Sequence, residues 1–240
     1  MMTKEEIKKI STRYQIAPEM VVREYCQHNI LDSFYNKQGS QKILFKGGTA
    51  LRFIFRSPRF SEDLDFTSIH NIQYFEIENI LTDVLSDINN WGFNIDLLEA
   101  KKTTGGYLAK IDFSVLNFKF IIKIEISFRQ SHKKVEYQVS SIRNDYNHTY
   151  NIMHLPAEEI IEGKLAALIA RSKPRDWYDL FYLLKNNYLN DKQKKLLPDI
   201  LKKFKNYRGD IKKELKVFLP KNYQMILKDF KRLLISELKK

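Results

Sequence analysis

Two aspartates one residue apart, Asp63 and Asp65, are the residues whose type and spacing most directly suggest chemistry. On a strand, side chains alternate between faces, so both carboxylates leave one face while Leu64 and Phe66 enter the core. Their Cα atoms then stand about 6.5 Å apart, near enough to share hard divalent cations. Upstream lies Gly47-Gly48. Adjacent glycines permit positive φ and close approach of a bulky ligand, and the helix they open begins with unpartnered N–H groups that suit an anion. Taken singly, each feature has a plainer reading: a tight turn for the glycines, a solvated strand face for the aspartates. Together, flanked by apolar residues, they describe a metal–nucleotide site.

The elements that must position these groups follow from the local pattern. Ile43-Leu44-Phe45 reads as a strand, Gly47-Gly48 as a turn and Thr49 to Arg56 as a short amphipathic helix, with a return through Pro58 to the strand of Asp63 and Asp65. A second strand is expected from Lys119 to Arg129. Phe120, Ile122, Ile124, Ile126 and Phe128 fill one face, and Glu125 leaves the other between Lys123 and Ser127. Further on, Pro156 and the acidic residues after it start a helix whose buried face is marked by Ile161, Leu165 and Leu168. Lys164 lies on or beside that face and needs a partner or a ligand. Arg171 follows on the same side, about 10 Å along the axis. Pro174 interrupts, and Arg175-Asp176-Trp177-Tyr178-Asp179 begins the next helix. The plainer alternative for this block is an internal salt-bridge network, with Arg175 and Asp179 paired one turn apart.

The glycine pair, Thr49 and Ser61-Glu62-Asp63-Leu64-Asp65 resemble the signature of the DNA polymerase β-type nucleotidyltransferase superfamily. More narrowly, Lys46-Gly-Gly-Thr-Ala-Leu-Arg52 with Arg59-Phe-Ser-Glu-Asp-Leu-Asp-Phe66 resembles the AbiEii/AbiGii toxin family, the toxin half of type IV toxin–antitoxin and abortive-infection systems. The block Lys164, Arg171, Arg175, Asp176, Asp179, Leu180 resembles the second motif of that family. The resemblance runs from about Lys42 to Leu184. It implies an α/β (α+β) fold: a nucleotidyltransferase core with a mixed sheet over residues 1–155, then a helical C-terminal region over 156–240 that contributes to the active site.

The resemblance also implies the roles. Asp63 and Asp65 would hold two magnesium ions, with manganese the alternative, and Glu125 would be the third metal ligand, where members of the family often carry Asp. Gly47, Gly48 and Thr49 would bind the triphosphate of an NTP substrate, and Ser61 would orient Asp63 or touch a phosphate. Lys164 would contact the phosphates and neutralise charge as pyrophosphate leaves. Arg171, Arg175 and Asp176 would complete or brace the nucleotide site, and Asp179 would join Lys164 and the carboxylates among the catalytic residues. The acceptor implied is RNA, tRNA-like, and a cognate antitoxin would be the regulator. The rivals are transfer to a small molecule or a protein side chain, and a non-catalytic RNA-binding protein on the same fold.

Composition bounds the rest. The chain has 240 residues, 43% of them hydrophobic, enough for a proper core. A net charge of +12 favours a polyanionic partner, against a plain lysine-rich bias of the proteome. Cys26 is the only cysteine, which excludes an internal disulfide and fits a reducing cytoplasm. No signal-like or membrane-spanning apolar run is visible.

Elsewhere, Thr3 caps one expected helix from Lys4 and Pro18 starts another, the two packing outside the sheet, with His28 in a structural role. A helix is expected over Ile72–Trp91 and a strand over Phe93–Leu98. Gly105-Gly106 reads as a hairpin turn, Lys133–Ile142 as an edge strand and Asn144–Tyr150 as a loop. Helices are expected over Asp191–Tyr207, Asp210–Phe218 and Tyr223–Leu238. There recurring lysines interleave with Tyr188, Tyr207, Phe218 and Tyr223, either a nucleic-acid docking surface or solvated lysine faces over an aromatic core.

Overall fold

The computed structural model describes residues 1–69, 72–128, 136–146 and 149–240. They divide into two units: Met1–Arg56 with Phe60–Pro156, and Ser57–Arg59 with Ala157–Lys240.

The first unit opens with α1 (Lys4–Tyr14), capped by Thr3 as expected, and α2 (Pro18–Tyr35). These are followed by β1 (Ile43–Lys46), α3 (Gly47–Phe53), β2 (Leu64–Ser68), α4 (Tyr74–Asn90), β3 (Asn94–Thr103), β4 (Gly106–Val115), β5 (Phe118–Phe128), β6 (Gln138–Ile142) and β7 (Tyr150–His154). The strands form one mixed sheet in the order β3-β4-β5-β2-β1-β7-β6. β2 runs parallel to β5 and β1 parallel to β7, and the other neighbours are antiparallel. The apolar stripe of β5 is buried as its alternation requires, from Phe120 to Ile126. Arg129, the expected end of that strand, lies outside the described residues, as do Lys133, Lys134 and Val135.

α2 packs on the sheet, against β5 and β7, as expected, but it is covered on its other sides too: Met20 to Leu31 are all buried. Its polar side chains are matched inside. Arg23 Nη1 donates to Ile121 O (2.8 Å), Gln27 Nε2 to Ser61 O (3.1 Å) and Asn29 Nδ2 to Tyr25 O (2.7 Å). Glu24 accepts from Arg52 Nε (2.5 Å) and Tyr146 OH (2.8 Å). His28 is structural, as expected: it stacks on Phe53 with ring centroids 4.0 Å apart and shares a 2.6 Å hydrogen bond with Tyr150 OH. Burial pushes its pKa down to about 4, so it stays neutral. The short helix α3 starts on the glycines themselves and stops at Phe53, before Arg56, which has φ +61°. The hairpin at Gly105-Gly106 forms as expected, and a Cβ on Gly106 would stand 2.0 Å from Ile126 O on β5. β7, which starts where a loop was expected to end, went unread.

The second unit is helical: α5 (Ala157–Arg171), α6 (Pro174–Lys185), α7 (Asp191–Lys194), α8 (Leu197–Lys205), α9 (Ile211–Phe218), α10 (Lys221–Gln224) and α11 (Phe230–Glu237). Its core gathers on α6, whose Trp177 lies against Phe204 (centroids 4.7 Å apart) and whose Phe181 lies against Phe230 (5.5 Å). The helix expected over 191–207 is broken where Pro198 enters the first turn of α8, and that expected over 223–238 is broken by a 3-10 turn at Met225–Lys228.

Candidate active site

Three central strands put the acidic residues of the first unit together. Asp65 on β2 is the register partner of Glu125 on β5 and of Lys46 on β1. Directly opposed residues share a face, so Lys46, Asp65 and Glu125 leave the sheet on the same side. Asp63 lies just before β2. Burial raises its pKa and so do Asp65, Glu62 and Glu125, against the opposing charge of Lys123. That balance marks like charges gathered at one place.

The glycine turn is built against this face. Gly47 has φ +86°, and a Cβ there would stand 2.0 Å from Asp65 Oδ2. Only glycine lets the main chain pass so close to that carboxylate. Thr49 is 1% exposed, and its hydroxyl donates to Asp63 O at 2.5 Å, so its side chain ties the helix start to the first aspartate. Gly48 is buried beside it, and Ser61 is half-buried with its carbonyl accepting from Gln27. Among the described residues no three His, Cys, Asp or Glu groups already stand close enough to hold a metal ion. The all-oxygen donors of Asp63, Asp65 and Glu125 are nonetheless the chemistry a hard dication takes, and their mutual repulsion is what such an ion relieves.

In the second unit Asp179 is 1% exposed and held between two cations. Arg59 Nε and Nη2 donate to its two oxygens at 2.7 and 3.0 Å, and Lys164 Nζ donates to Oδ2 at 2.9 Å. Burial would raise the Asp179 carboxyl, but Arg59 and Lys164 outweigh it and the pKa is lowered. Arg175 pairs with Glu214 at 2.8 Å rather than with Asp179. The i,i+4 pair expected in the plainer alternative is therefore replaced. Asp176 caps α6: its carboxylate accepts from Arg171 Nε (3.0 Å), Arg171 Nη2 (2.9 Å) and the Lys173 N–H (3.0 Å). Lys164 thus has the partner its place demanded, and Asp176 and Asp179 are both buried. Arg59 opens the motif Arg59–Phe66 that carries the family resemblance, but no role was expected of it.

A family model described as "Nucleotidyl transferase AbiEii toxin, Type IV TA system" matches residues 29–238. No curated protein sequence matches the chain. Among solved structures, a candidate nucleotidyltransferase from H. pylori is 24% identical with a TM-score of 0.68, covering 93% of this chain and 95% of its own. JHP933 from Helicobacter pylori is 24% identical with a TM-score of 0.64, over 93% and 92%. MenT4, a nucleotidyltransferase toxin from Mycobacterium tuberculosis H37Rv, is 15% identical with a TM-score of 0.65, over 100% and 90%. At these identities the three show the shared fold.

Proposed function

The chain belongs to the AbiEii nucleotidyl transferase toxin family of type IV toxin–antitoxin systems, and with that as premise we propose that it moves an NMP from an NTP to RNA, in a metal-dependent reaction at the carboxylate face of β2 and β5. The observation that carries this reading is the register of Asp65 with Glu125, with the Gly47 main chain against Asp65.

In the reaction an acceptor hydroxyl bonds to the α-phosphorus as the bond to pyrophosphate breaks. Asp63, Asp65 and Glu125 would hold magnesium or manganese, which supplies charge for the phosphates and acidifies the attacking hydroxyl. Gly47 and Gly48 would offer main-chain N–H groups to the triphosphate, and Ser61 would orient Asp63 or touch a phosphate. Thr49 acts chiefly by fixing the Asp63 carbonyl, with its own N–H left to the phosphates. In this reading residues 1–155 form the catalytic domain, and the helical region 156–240 would contribute Lys164, Arg171 and Arg175 to nucleotide binding. Asp179 then acts through Lys164, whose ammonium it holds, and Asp176 acts through Arg171.

The RNA acceptor is supported by where the charge sits. Residues 157–240 carry 21 Lys and Arg against 11 Asp and Glu, so +10 of the chain's +12 lies there. Such a surface attracts a phosphate backbone and needs no base-specific contact. A tRNA-like acceptor is the form the family resemblance favours, and a cognate antitoxin belongs to the system. No helix among the described residues is long and apolar enough to cross a membrane. The lone, buried Cys26 suits a reducing cytoplasm.

The test is transfer of label from each α-labelled NTP to total RNA, metabolites and protein extract, with the wild-type chain and Asp63→Ala. Label is expected in RNA and absent with the variant. Label confined to metabolites or protein would overturn the RNA acceptor, and no turnover with any acceptor would overturn the catalytic reading.

A further inference from the structure

The helical unit holds a cavity that the chemistry above does not use. It measures about 240 Å3, far more than the roughly 10–15 Å3 a single water needs, and it lies between the end of α8, the start of α9 and the 3-10 turn that leads into α11. Its walls are partly apolar: Phe204, Leu227 and Phe230 line it and are all buried. Tyr207 adds a half-buried ring, backed by Trp177 at 5.5 Å between centroids and nearly parallel to Phe204 at 6.4 Å. A Cβ on Gly209 would stand 2.0 Å from the Tyr207 hydroxyl, so the glycine lets the ring lie where it does. Lys212, Lys228 and Lys231 also line the cavity, and all three are exposed. Among the described residues their ammonium groups have no hydrogen-bond or ion-pair partner. Other cations of the unit are engaged: Lys164 with Asp179, Lys192 with Glu162, Arg232 with Asp229. Asp210, the carboxylate of the lining, caps α9 by accepting from the Lys213 N–H at 3.1 Å. Three cations against that one carboxylate leave the lining at a net +2.

We propose that this cavity binds an unpaired nucleotide of the RNA acceptor, its base against Tyr207 and the apolar walls and its flanking phosphates on Lys212, Lys228 and Lys231. The proposal rests on the reading of RNA as the acceptor and gives that RNA a place to dock. An unpaired nucleotide carries a flat π-face with phosphates on either side, and the cavity sets an aromatic ring and apolar walls beside three unpaired cations. An acidic peptide would meet the cations and leave the ring unused, and an apolar ligand would do the reverse. Stacking on a ring accepts any base, so the site selects for an unpaired strand rather than for a sequence.

The experiment measures, by fluorescence anisotropy over a range of salt, the binding of a short labelled single-stranded RNA of mixed sequence to the full chain, and of the same RNA annealed as a duplex. Three variants are compared with wild type, each with its melting temperature. One is Tyr207→Leu, one carries Lys212→Gln, Lys228→Gln and Lys231→Gln together, and one carries Lys194→Gln, Lys195→Gln and Lys239→Gln, which removes the same charge from exposed lysines outside the cavity. The cavity triple is expected to weaken single-strand binding about tenfold and to flatten the plot of log Kd against log salt by about 2, because each phosphate contact on a single strand contributes about 0.7. The outer triple should do less than half as much. Tyr207→Leu should weaken single-strand binding by about tenfold and leave the duplex unchanged. Equal losses in the two triples would overturn the proposal, as would a Tyr207→Leu loss as large on the duplex as on the single strand. Displacement of the RNA by polyglutamate or by free NTP at comparable concentration would reassign the cavity and overturn it too. If Tyr207→Leu does not fold, the two triples carry the comparison. Label transferred only to metabolites or protein would sink the acceptor reading, and this proposal with it; label in RNA with equal losses in the two triples would sink the cavity alone.

Discussion

Two clusters of charge, one in each unit, are handled in opposite ways. In the first, Asp63, Asp65 and Glu125 gather on one face, and their mutual repulsion helps to hold the Asp63 carboxyl above its ordinary range. In the second, Asp179 is sealed from solvent, yet Arg59 and Lys164 keep its carboxyl below that range. A buried carboxylate shared by two cations is satisfied as it stands, whereas a cluster of carboxylates that outweighs the cation near it is stabilised further when more positive charge arrives. On the proposed reading the contrast separates residues that take a ligand from residues that hold others in place, and Asp179, paired with Arg59 and Lys164, acts as one of the second kind.

The largest stability effect should come from unbalancing the triad. Asp179→Ala leaves Arg59 and Lys164 without their shared carboxylate and is expected to cost about 3–5 kcal/mol, read by denaturant unfolding. A loss below about 1 kcal/mol would erase the contrast. The second effect is the pH dependence, which should differ in sign between the units. The lowered Asp179 pKa contributes stability that is present above the unfolded carboxyl value of about 3.9 and is lost as pH falls through the folded value. The stability gap between wild type and Asp179→Asn should therefore narrow as pH drops below about 4. For Asp63 the raised pKa gives the reverse: the folded state loses stability as pH rises from the unfolded value through the folded one. Asp63→Asn should remove that loss, so its unfolding free energy relative to wild type should improve on going from acid to neutral pH. The smallest effect is at α6, where Asp176→Ala removes a helix cap and the Arg171 pair and is expected to cost about 1–2 kcal/mol.

What was legible in the sequence was the part encoded locally. The alternation along β5 exposed Glu125, and the glycine turn with its two aspartates marked the face, because strand period and turn chemistry act over a few residues. Arg59 and Asp179 are 120 residues apart, and no periodicity announces that pair. Local spacing instead suggested Arg175 for Asp179, but Arg175 found Glu214. The polar residues of α2 disguised an interior helix, since their partners are distant in the chain: Tyr150 for His28, Arg52 for Glu24. The hydrogen bond from Lys46 Nζ on β1 to Ser127 Oγ on β5, across β2, depended on strand order, which a single sequence does not display.

The central claim is that the carboxylate face of β2 and β5 does the proposed chemistry at a cost in stability at neutral pH. It is tested most directly by the initial rate of labelled NMP transfer by Asp63→Asn, measured on protein whose melting temperature is determined alongside. The account predicts a rate at least about a hundredfold below wild type, with a melting temperature at neutral pH equal to or above it. A folded variant that transfers label at close to the wild-type rate would contradict it.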